Sequence, residues 1–343
     1  MNFQNDRYTL RLAEPGDDDG IREIFTAGHF DGGIAVQYLR PEPLRSFAAD
    51  GDETRMLIIR DNENGRLCAV GGAVIRREVL HGTPAQTAYL TGLKVHPDYQ
   101  KQIFFIAKAY QFLGEQLSGC AACYTTILDD NAPVIKMLEK KRRSMPEYRY
   151  LGHYTTYIFH QSKAILPLGT DDRTGFDAVQ RDYFSALDLS PAVTDYPGFG
   201  AGHFYAYREH GELLACCFCG DQTALKCYKM AGYGGIYKLL SKLPTRLLGY
   251  PAFPCAGQII RHGVISQLYV KGSDPALCRK FVRSVAAASG AELLLWGAFE
   301  THPLCPALEQ MRVIRYGSRL YEVLWNGAAP QISRNIGMEA ALL

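Results

Sequence analysis

The sequence contains neither a long apolar run nor an apolar leader. Nowhere do eighteen apolar residues follow one another, and residues 1–7 do not combine a basic start with an apolar stretch. A membrane-spanning helix needs about twenty mostly apolar residues, and a secretory signal needs a basic start before its apolar run. The sequence therefore predicts a cytoplasmic protein without a membrane span or a signal peptide.

An excess of charge of one sign is also missing. The chain has 37 Lys and Arg residues against 35 Asp and Glu residues, which leaves a formal net charge of +2. Proteins that bind nucleic acid or an anionic membrane through their overall field carry a clear basic excess. We therefore expect neither nucleic acid nor a membrane among the partners, and selectivity has to come from a local site.

The ten cysteines of the chain include one pair with the spacing of a zinc site but not the second pair that such a site needs. Cys120 and Cys123 have the spacing of a zinc-binding pair, whereas Cys216, Cys217 and Cys219 do not form a second pair of that kind. A disulfide framework is typical of small secreted chains and is not expected here. We expect buried thiols and no metal ion, because free cysteine behaves as a small apolar residue.

The length and composition indicate two domains. A chain of 343 residues exceeds one average domain, and 47% apolar residues suffice for sizeable cores. Residues 163–174 include the run Pro-Leu-Gly-Thr-Asp-Asp, which is typical of a linker. We therefore predict an N-terminal domain of residues 1–162, a linker of residues 163–174 and a C-terminal domain of residues 175–343.

One stretch in the first half predicts a strand, a tight turn and a helix. Residues 89–95 alternate as a strand with Leu93 and Val95 on one face and Lys94 on the other, and the run His-Pro-Asp at 96–98 ends it. From residue 104 the apolar positions recur at three and four residues, as in an amphipathic helix. The first N–H groups of such a helix lack backbone partners and carry partial positive charge, which suits a phosphate.

This stretch resembles the GNAT superfamily of N-acetyltransferases. The run Leu-Lys-Val-His-Pro-Asp-Tyr-Gln, the helix, a strand that ends in Asp-Asp-Asn-Ala-Pro at 129–133 and a second short helix follow that family's order over about residues 8–160. The family's turn reads Arg or Gln, two residues, Gly, one residue, and Gly or Ala. Gln100 fits that turn, whereas Ile103 and Phe105 stand where small residues belong, and Leu138 stands at the family's frequent tyrosine.

The resemblance implies where acetyl-CoA binds. In the family, the strand offers backbone groups to the pantetheine arm and the turn wraps the pyrophosphate. The positions of this chain that match the strand, the turn and the residue after the next strand are Leu93, Lys94, Val95, Gln100, Lys101, Gln102, Ile103, Phe104, Phe105 and Asn131.

The order of elements repeats in the second half. A predicted hairpin over residues 203–219, a strand over 264–270, a helix over 275–288, a strand over 293–296, a short helix over 303–311 and a strand over 319–325 parallel the first half. Asp274 at the second turn is a good helix cap and would repel a pyrophosphate. We therefore predict an α/β (α+β) protein of two GNAT-like domains, each with a mixed, mostly antiparallel sheet flanked by helices, and acetyl-CoA in the first domain only.

Other polar stretches have two interpretations each. The acidic run at 17–19 is a helix start or a site for a basic substrate, and the helix dipole favours the first. The basic cluster at 140–143 is interpreted either as a contact with the 3'-phosphate of CoA or with nucleic acid, or as solvated residues at a helix end, and the helix dipole favours the second. Weak candidates for contact with the acceptor are His29, Phe30 and Asp31. The tyrosines of residues 148–157 are interpreted mainly as strand formers and core residues, with one of them as a further candidate to face the pocket.

Two segments outside the repeat carry apolar patterns. Residues 226–261 contain an apolar stripe beside basic residues, which we interpret as a helix packed at the domain junction rather than a helix on a membrane surface. Residues 326–343 alternate weakly and predict an edge strand.

Two function classes remain. The first is an N-acetyltransferase, in which a small-molecule or peptide amine attacks acetyl-CoA directly. Catalysis then needs mainly the positioning of the two reactants, and backbone N–H groups of residues 93–95 stabilise the tetrahedral oxyanion. The strand contains no carboxylate, so no catalytic base is named, and a homodimer is left open. The second class is a catalytically silent GNAT-like protein that binds CoA, another ligand or a partner, which the bulky turn and Leu138 favour.

Overall fold

The computed structural model describes residues 3–4, 7–27, 33–100, 106–140, 142, 145–160, 164–199, 202–248 and 250–343. The strands are β1 Phe3–Gln4, β2 Tyr8–Leu12, β3 Ile34–Leu39, β4 Glu53–Asp61, β5 Leu67–Leu80, β6 Thr83–Val95, β7 Ala122–Leu128, β8 Glu147–Phe159, β9 Gly169–Thr170, β10 His203–Glu209, β11 Glu212–Asp221, β12 Cys227–Tyr233, β13 Ile259–Ile260, β14 His262–Val270, β15 Leu293–Phe299 and β16 Ile314–Leu324. The α-helices are α1 Asp18–Thr26, α2 Pro43–Ala48, α3 Ile106–Gln116, α4 Ala132–Leu138, α5 Phe176–Asp182, α6 Gly235–Leu240, α7 Pro275–Ser289 and α8 Cys305–Glu309.

Local sequence explains the two long helices that cover the sheet. In α3 the side chains of Tyr110, Phe112 and Leu113 are buried, as the apolar spacing predicts. The helix α7 begins at the predicted cap Asp274, whose carboxylate accepts hydrogen bonds from two backbone N–H groups, and ends at Gly290 with a φ of 67°. None of the helices in the described residues is long and apolar enough to cross a membrane.

A single sheet of thirteen strands runs through both halves of the chain. Its order is β1-β2-β4-β5-β6-β7-β16-β8-β15-β14-β11-β10-β9. Only the pairs β6–β7 and β14–β15 are parallel, and the other pairs are antiparallel. The predicted mixed, mostly antiparallel sheet flanked by helices is confirmed.

The two halves exchange their last strands. Strand β16 of the second half lies between β7 and β8 of the first, and β8 lies between β16 and β15. The predicted order of elements is present in both halves, because β6, α3, β7, α4 and β8 follow one another as β14, α7, β15, α8 and β16 do. The halves therefore complete one sheet jointly.

A second, small sheet joins elements that the sequence pattern did not pair. Strand β3 pairs antiparallel with β12, which in turn pairs with β13. The glycines of residues 28–33 and the prolines at 41 and 43 predict an irregular stretch between helices, and residues 226–261 were predicted to hold a helix packed at the domain junction. The first prediction was wrong, because β3 becomes a strand by pairing with β12 across roughly 190 to 200 residues of sequence. The predicted helix of the second segment is present as α6, but its apolar side chains Ile236 and Leu239 are exposed, so the prediction that it packs at the junction was wrong.

The predicted edge strand at the end of the chain is also wrong. Apart from one isolated bridge, residues 326–343 form irregular structure and a short 3₁₀ turn, and Ile336, Met338 and Leu342 are buried. The Tyr154 hydroxyl donates a hydrogen bond to the carbonyl of Met338 at 3.2 Å. The segment thus packs against one face of the sheet, where its apolar side chains leave water.

Candidate active site

The strands β6 and β7 separate part-way along their length. They are paired only where Thr87, Ala88 and Tyr89 face residues 122–124. At the point of separation the Thr125 hydroxyl donates a hydrogen bond to the Leu90 carbonyl at 2.8 Å. Within the described residues no other strand takes the place of β7 along residues 91–95. We call this opening, between residues 90–95 of β6 and 125–128 of β7, the first wedge.

A β-bulge shapes the β6 side of the first wedge. Lys94 pairs with Val70 whereas Thr91 pairs with Gly72, so β6 carries one residue more than β5 over this interval. Gly92, inside the bulge, has a φ of 70°, a conformation that glycine adopts without the cost that a Cβ atom imposes. A bulge re-aims the backbone, and here it lies beside the open edge of the strand.

A cavity of about 1030 Å³ extends from the first wedge. It is lined by five of the predicted cofactor-binding residues, Leu93, Lys94, Val95, Gln100 and Asn131. The other five predicted residues, Lys101, Gln102, Ile103, Phe104 and Phe105, lie outside the described residues. The structure thus brings the described candidates from the strand, the turn and the start of α4 to one space, and their role in binding stays a prediction.

Of two polar side chains at the first wedge, Lys94 has a hydrogen-bond partner and Asn131 has none among the described residues. The Lys94 ammonium donates a hydrogen bond to the Phe25 carbonyl at 2.8 Å, and burial lowers the pKa of this lysine. The side chain of Asn131, just before α4, makes no hydrogen bond with any described residue and does not cap the helix. Its carboxamide is available to a molecule in the cavity.

Two tyrosines line the α3 side of the cavity beside Leu138. The hydroxyls of Tyr110 on α3 and Tyr148 on β8 are 2.7 Å apart, and both residues line the cavity. Burial raises the pKa of both phenols, so both keep their protons at neutral pH. Leu138, at the position of the family's tyrosine, also lines the cavity and offers no proton.

On the opposite face of the sheet the cavity widens into a space that we call the tyrosine chamber. Its aromatic lining residues are Tyr38, Tyr89, Tyr154, Tyr228, Tyr316 and His262. The ring of Tyr228 lies 5.2 Å from that of Tyr38 and 5.5 Å from that of His262. The prediction that a tyrosine of residues 148–157 faces the pocket is confirmed twice, by Tyr148 and Tyr154.

His262 is held as a neutral imidazole. Its Nδ1 lies 3.0 Å from the carbonyl oxygen of Ile260, so Nδ1 carries the proton and Nε2 keeps its lone pair. Burial lowers the pKa of this histidine, and the bond to Ile260 offsets part of that effect. The tyrosine chamber is therefore polar at its phenol and imidazole groups without carrying charge there.

Similar proteins are found by structure and not by sequence. Neither a scan against models of protein families nor a search of curated protein sequences gives a match. N-myristoyltransferase from Saccharomyces cerevisiae with bound myristoyl-CoA is 7% identical with a TM-score of 0.57, covering 98% of this chain and 90% of that one. A GCN5-related N-acetyltransferase from Sphaerobacter thermophilus is 12% identical with a TM-score of 0.54, covering 96% and 100%. The chain has a GNAT-like fold.

The second half of this GNAT-like fold contains an equivalent opening that the chain itself fills. Strands β14 and β15 are paired only over residues 262–264 and 293–295, and β14 carries one extra residue opposite β11 at Gln267. We call this opening the second wedge. The backbone N–H of Gln267 donates a hydrogen bond to Oε1 of Glu339 at 2.9 Å. The amide at the bulge of the second wedge is therefore satisfied by a side chain from residues 326–343.

A buried lysine fastens the same segment beside the cavity. The Lys226 ammonium donates hydrogen bonds to Asp50 Oδ1 at 2.8 Å and to the carbonyls of Ala341 and Leu343 at 2.7 and 3.1 Å. Burial lowers the pKa of Lys226 to about 8, although Asp50 opposes this shift. Arg40 bonds the other oxygen of Asp50 at 3.3 Å. Removing one member of such a buried set leaves the others uncompensated.

Some residues of the GNAT-like cavity were not predicted, and some predicted ones lie elsewhere. Tyr38 and Tyr228 reach the tyrosine chamber through β3 and β12, whose short alternating runs were the available sequence signal. The acidic run serves the fold, because Asp17 bonds Arg11 and Arg60 at 2.7 and 2.9 Å. The candidates His29, Phe30 and Asp31 lie outside the described residues, as do residues 141 and 143 of the basic cluster.

The cysteines show no arrangement for chemistry within the described residues. Eight of the ten thiols are buried, and all ten are unpaired. No group of three or more His, Cys, Asp and Glu side chains in the described residues could hold a metal ion. Burial raises the pKa of Cys68 to about 11 and of Cys216 to about 12, so these thiols are protonated and unreactive at neutral pH.

Proposed function

We propose that the protein is an acyl-CoA-dependent N-acyltransferase, which moves an acetyl group from acetyl-CoA to a small-molecule or peptide amine. The observation that carries the proposal is the first wedge: two parallel strands separate beside a large cavity, with a bulge and an unpaired strand edge on one side. The GNAT-like fold supports it, since the similar solved structures include an N-acetyltransferase and an N-myristoyltransferase with bound myristoyl-CoA.

The donor fits the first wedge better than the second. Along residues 91–95 the edge of β6 that faces β7 pairs with no strand in the described part of the chain, and such backbone groups suit the amides of a pantetheine arm. Asn131 lines the same space, and its carboxamide has no hydrogen-bond partner among the described residues. In the second wedge the corresponding bulge already bonds Glu339. An acyl-CoA supplies the activated thioester carbonyl, and the chain supplies the groups that hold it.

Positioning and a proton source are the contributions that the chain makes to catalysis. Backbone N–H groups of residues 93–95 stabilise negative charge on the carbonyl oxygen as the amine attacks. The phenols of Tyr110 and Tyr148 are protonated and line the cavity, so one of them takes the place of the family's tyrosine and gives a proton to the departing thiolate. The proton that the attacking amine loses returns through water to that phenol, which restores it. The acceptor amine enters through the tyrosine chamber, whose neutral polar groups suit an uncharged nucleophile.

A second candidate function rests on Leu138. This residue occupies the place of the family's usual proton donor and lines the cavity with an aliphatic side chain. If the tyrosine pair does not replace the missing phenol, the protein binds CoA or another ligand without turnover.

Binding and turnover measured in sequence test both candidates. Calorimetric titration of the full chain with CoA, acetyl-CoA and acyl-CoAs up to fourteen carbons measures affinity against acyl length. Release of free CoA with a panel of small amines and peptides then measures turnover. Affinity for none of the donors refutes the proposal, affinity without turnover favours the silent binder, and a preference for long chains corrects the acetyl assignment while keeping acyl transfer.

The variant Asn131→Ala separates binding in the first wedge from binding elsewhere. Loss of one hydrogen bond to the donor is expected to weaken its binding about three- to tenfold, with stability unchanged. The matched control is Gln111→Ala, which removes an exposed amide from the outer side of α3. Equal affinity of Asn131→Ala, Gln111→Ala and the parent protein would contradict the placement of the donor.

A further inference from the structure

Large apolar side chains are exposed mainly in one short segment. Ten such side chains are more than a third exposed among the described residues, and six of them lie between residues 236 and 259. The six are Ile236, Leu239, Leu243, Leu247, Tyr250 and Ile259. Leu247 is 84% exposed and Leu239 67%, values that a folded chain rarely tolerates for leucine without a use.

The charges around this segment all have one sign. Residues 222–273 contain no Asp and no Glu, although the whole chain is almost neutral. They contain seven basic residues, Lys226, Lys229, Lys238, Lys242, Arg246, Arg261 and Lys271. Lys238 and Lys242 are exposed and have no ion-pair partner in the described part of the chain. We call Ile236, Lys238, Leu239, Lys242, Leu243 and Leu247 the apolar-basic patch.

Inward-facing aromatic residues hold the apolar-basic patch in place. Tyr237 and Phe253 line the cavity, and their ring centroids are 6.2 Å apart. The Thr245 hydroxyl donates a hydrogen bond to the Pro251 carbonyl at 2.8 Å, which closes the loop after α6. The segment therefore lines the cavity with these aromatic side chains, and the side chains of the apolar-basic patch lie on its opposite, exposed side.

We propose that the apolar-basic patch docks the protein on the surface of an anionic lipid bilayer. Aliphatic side chains enter the boundary of headgroups and acyl chains, while adjacent lysines contact the phosphates, and this combination is typical of interfacial segments. A protein partner fits less well, because the cores of protein interfaces are depleted in lysine. A second copy of the chain would bring lysines against lysines. The inference goes beyond acyl transfer and does not depend on it. It departs from the expectation, drawn from the nearly neutral whole chain, that a membrane is not among the partners, because the basic residues are concentrated locally.

Flotation of the full chain with lipid vesicles tests the proposal. Vesicles of phosphatidylcholine with one-third phosphatidylserine are compared with vesicles of phosphatidylcholine alone, at 0.05 M and 0.5 M salt. We expect the protein to float with the anionic vesicles, to float poorly with the neutral ones, and to bind less at the higher salt concentration because salt screens the lysines.

Three double variants locate the binding surface. Leu239→Ser with Leu247→Ser is expected to weaken binding to anionic vesicles at least tenfold, since the burial of two leucines is lost. Lys238→Gln with Lys242→Gln is expected to weaken it by about 30-fold, from about fivefold per lysine. The matched control is Ile165→Ser with Lys280→Gln, which changes an exposed isoleucine and an exposed lysine elsewhere and is expected to bind normally.

Several outcomes overturn the proposal. Absence of flotation does so directly, and so does equal binding to neutral and anionic vesicles. Loss of binding in the lysine variant but not in the leucine variant would show attraction to negative charge without insertion of the aliphatic side chains, which overturns docking through the apolar-basic patch. A dimer in sedimentation equilibrium that the leucine variant dissociates identifies a second copy of the chain. All the exchanged residues are exposed, so the variants fold and each outcome is readable.

Discussion

Glu339 is buried, and the pKa of its carboxyl in the folded chain differs enough from that of an exposed glutamate to be measured through stability. Burial raises its pKa to about 8, although the Gln267 N–H donated to Oε1 opposes the shift. In the unfolded chain a glutamate has a pKa of about 4.3. Because the folded pKa is the higher one, the native state binds more protons, and stability is lost as the pH rises from about 4.3 through 8.

Replacement of Glu339 by Gln is therefore expected to stabilise the protein at neutral pH. The amide oxygen still accepts the bond from Gln267, while the cost of protonating a carboxylate disappears. The gain in free energy of unfolding is about 4 kcal/mol at pH 7 and falls to about 1 kcal/mol at pH 5. Urea unfolding at both pH values measures it, with exposed Glu115→Gln as the control. A gain that is equal at the two pH values would contradict the buried ionisation.

At the scale of elements, the bulge in β6 shapes the edge of the first wedge, where we propose that the donor binds. Gly92 has a φ of 70°, and a Cβ atom there would lie 3.0 Å from the Phe47 ring and 3.2 Å from the Met56 methyl. Such a side chain is strained by conformation and by contact at once. The register of β5 and β6 on each side of the bulge leaves no other place for the extra residue.

Gly92→Ala is expected to lower the free energy of unfolding by about 1–3 kcal/mol and to weaken acyl-CoA binding. Binding weakens because relief of the strain moves the backbone N–H groups of the first wedge. Thermal unfolding gives the first quantity, and calorimetric titration well below the unfolding temperature gives the second. The control Gly119→Ala has open space around its Cβ and no positive φ. Wild-type affinity in folded Gly92→Ala would show that the bulge does not position the donor.

Elements of the candidate site differ in how well the sequence predicted them. Strand β6 and helix α3 follow from the alternation and the helical period of neighbouring residues, whereas Asn131 was implied by the resemblance to the GNAT superfamily. The tyrosine chamber depends instead on β3, β12 and β14, which approach one another only in three dimensions. Alternation within β3 and β12 was too short to distinguish strands from irregular segments.

At the scale of the whole molecule, the exchanged strands couple the halves. Neither half completes its sheet alone, because β16 separates β7 from β8 and β8 pairs with β15. Residues 326–343 add contacts through Lys226 and Tyr154. The division into domains of residues 1–162 and 175–343 stays a prediction, and the shared sheet leads us to propose that the two halves fold as one unit.

We therefore expect the chain to unfold in one cooperative transition. Scanning calorimetry should give equal calorimetric and van't Hoff enthalpies, and a fragment of residues 1–162 should not fold because β8 lacks its neighbours. Two separate transitions, or a folded fragment with a native circular dichroism spectrum, would show that each half is stable without the exchange.

The sequence by itself determined the elements whose signals are local. Alternation in residues 89–95, the helical period after residue 106 and the cap at Asp274 depend on neighbours a few residues away, so they identified the GNAT-like order in both halves. Only the tertiary structure decided that β16 lies beside β7, that β3 pairs with β12 and that Glu339 fills the second wedge. The physical reason is that a strand edge offers the same N–H and C=O groups whatever its sequence, so the partner is chosen by global packing.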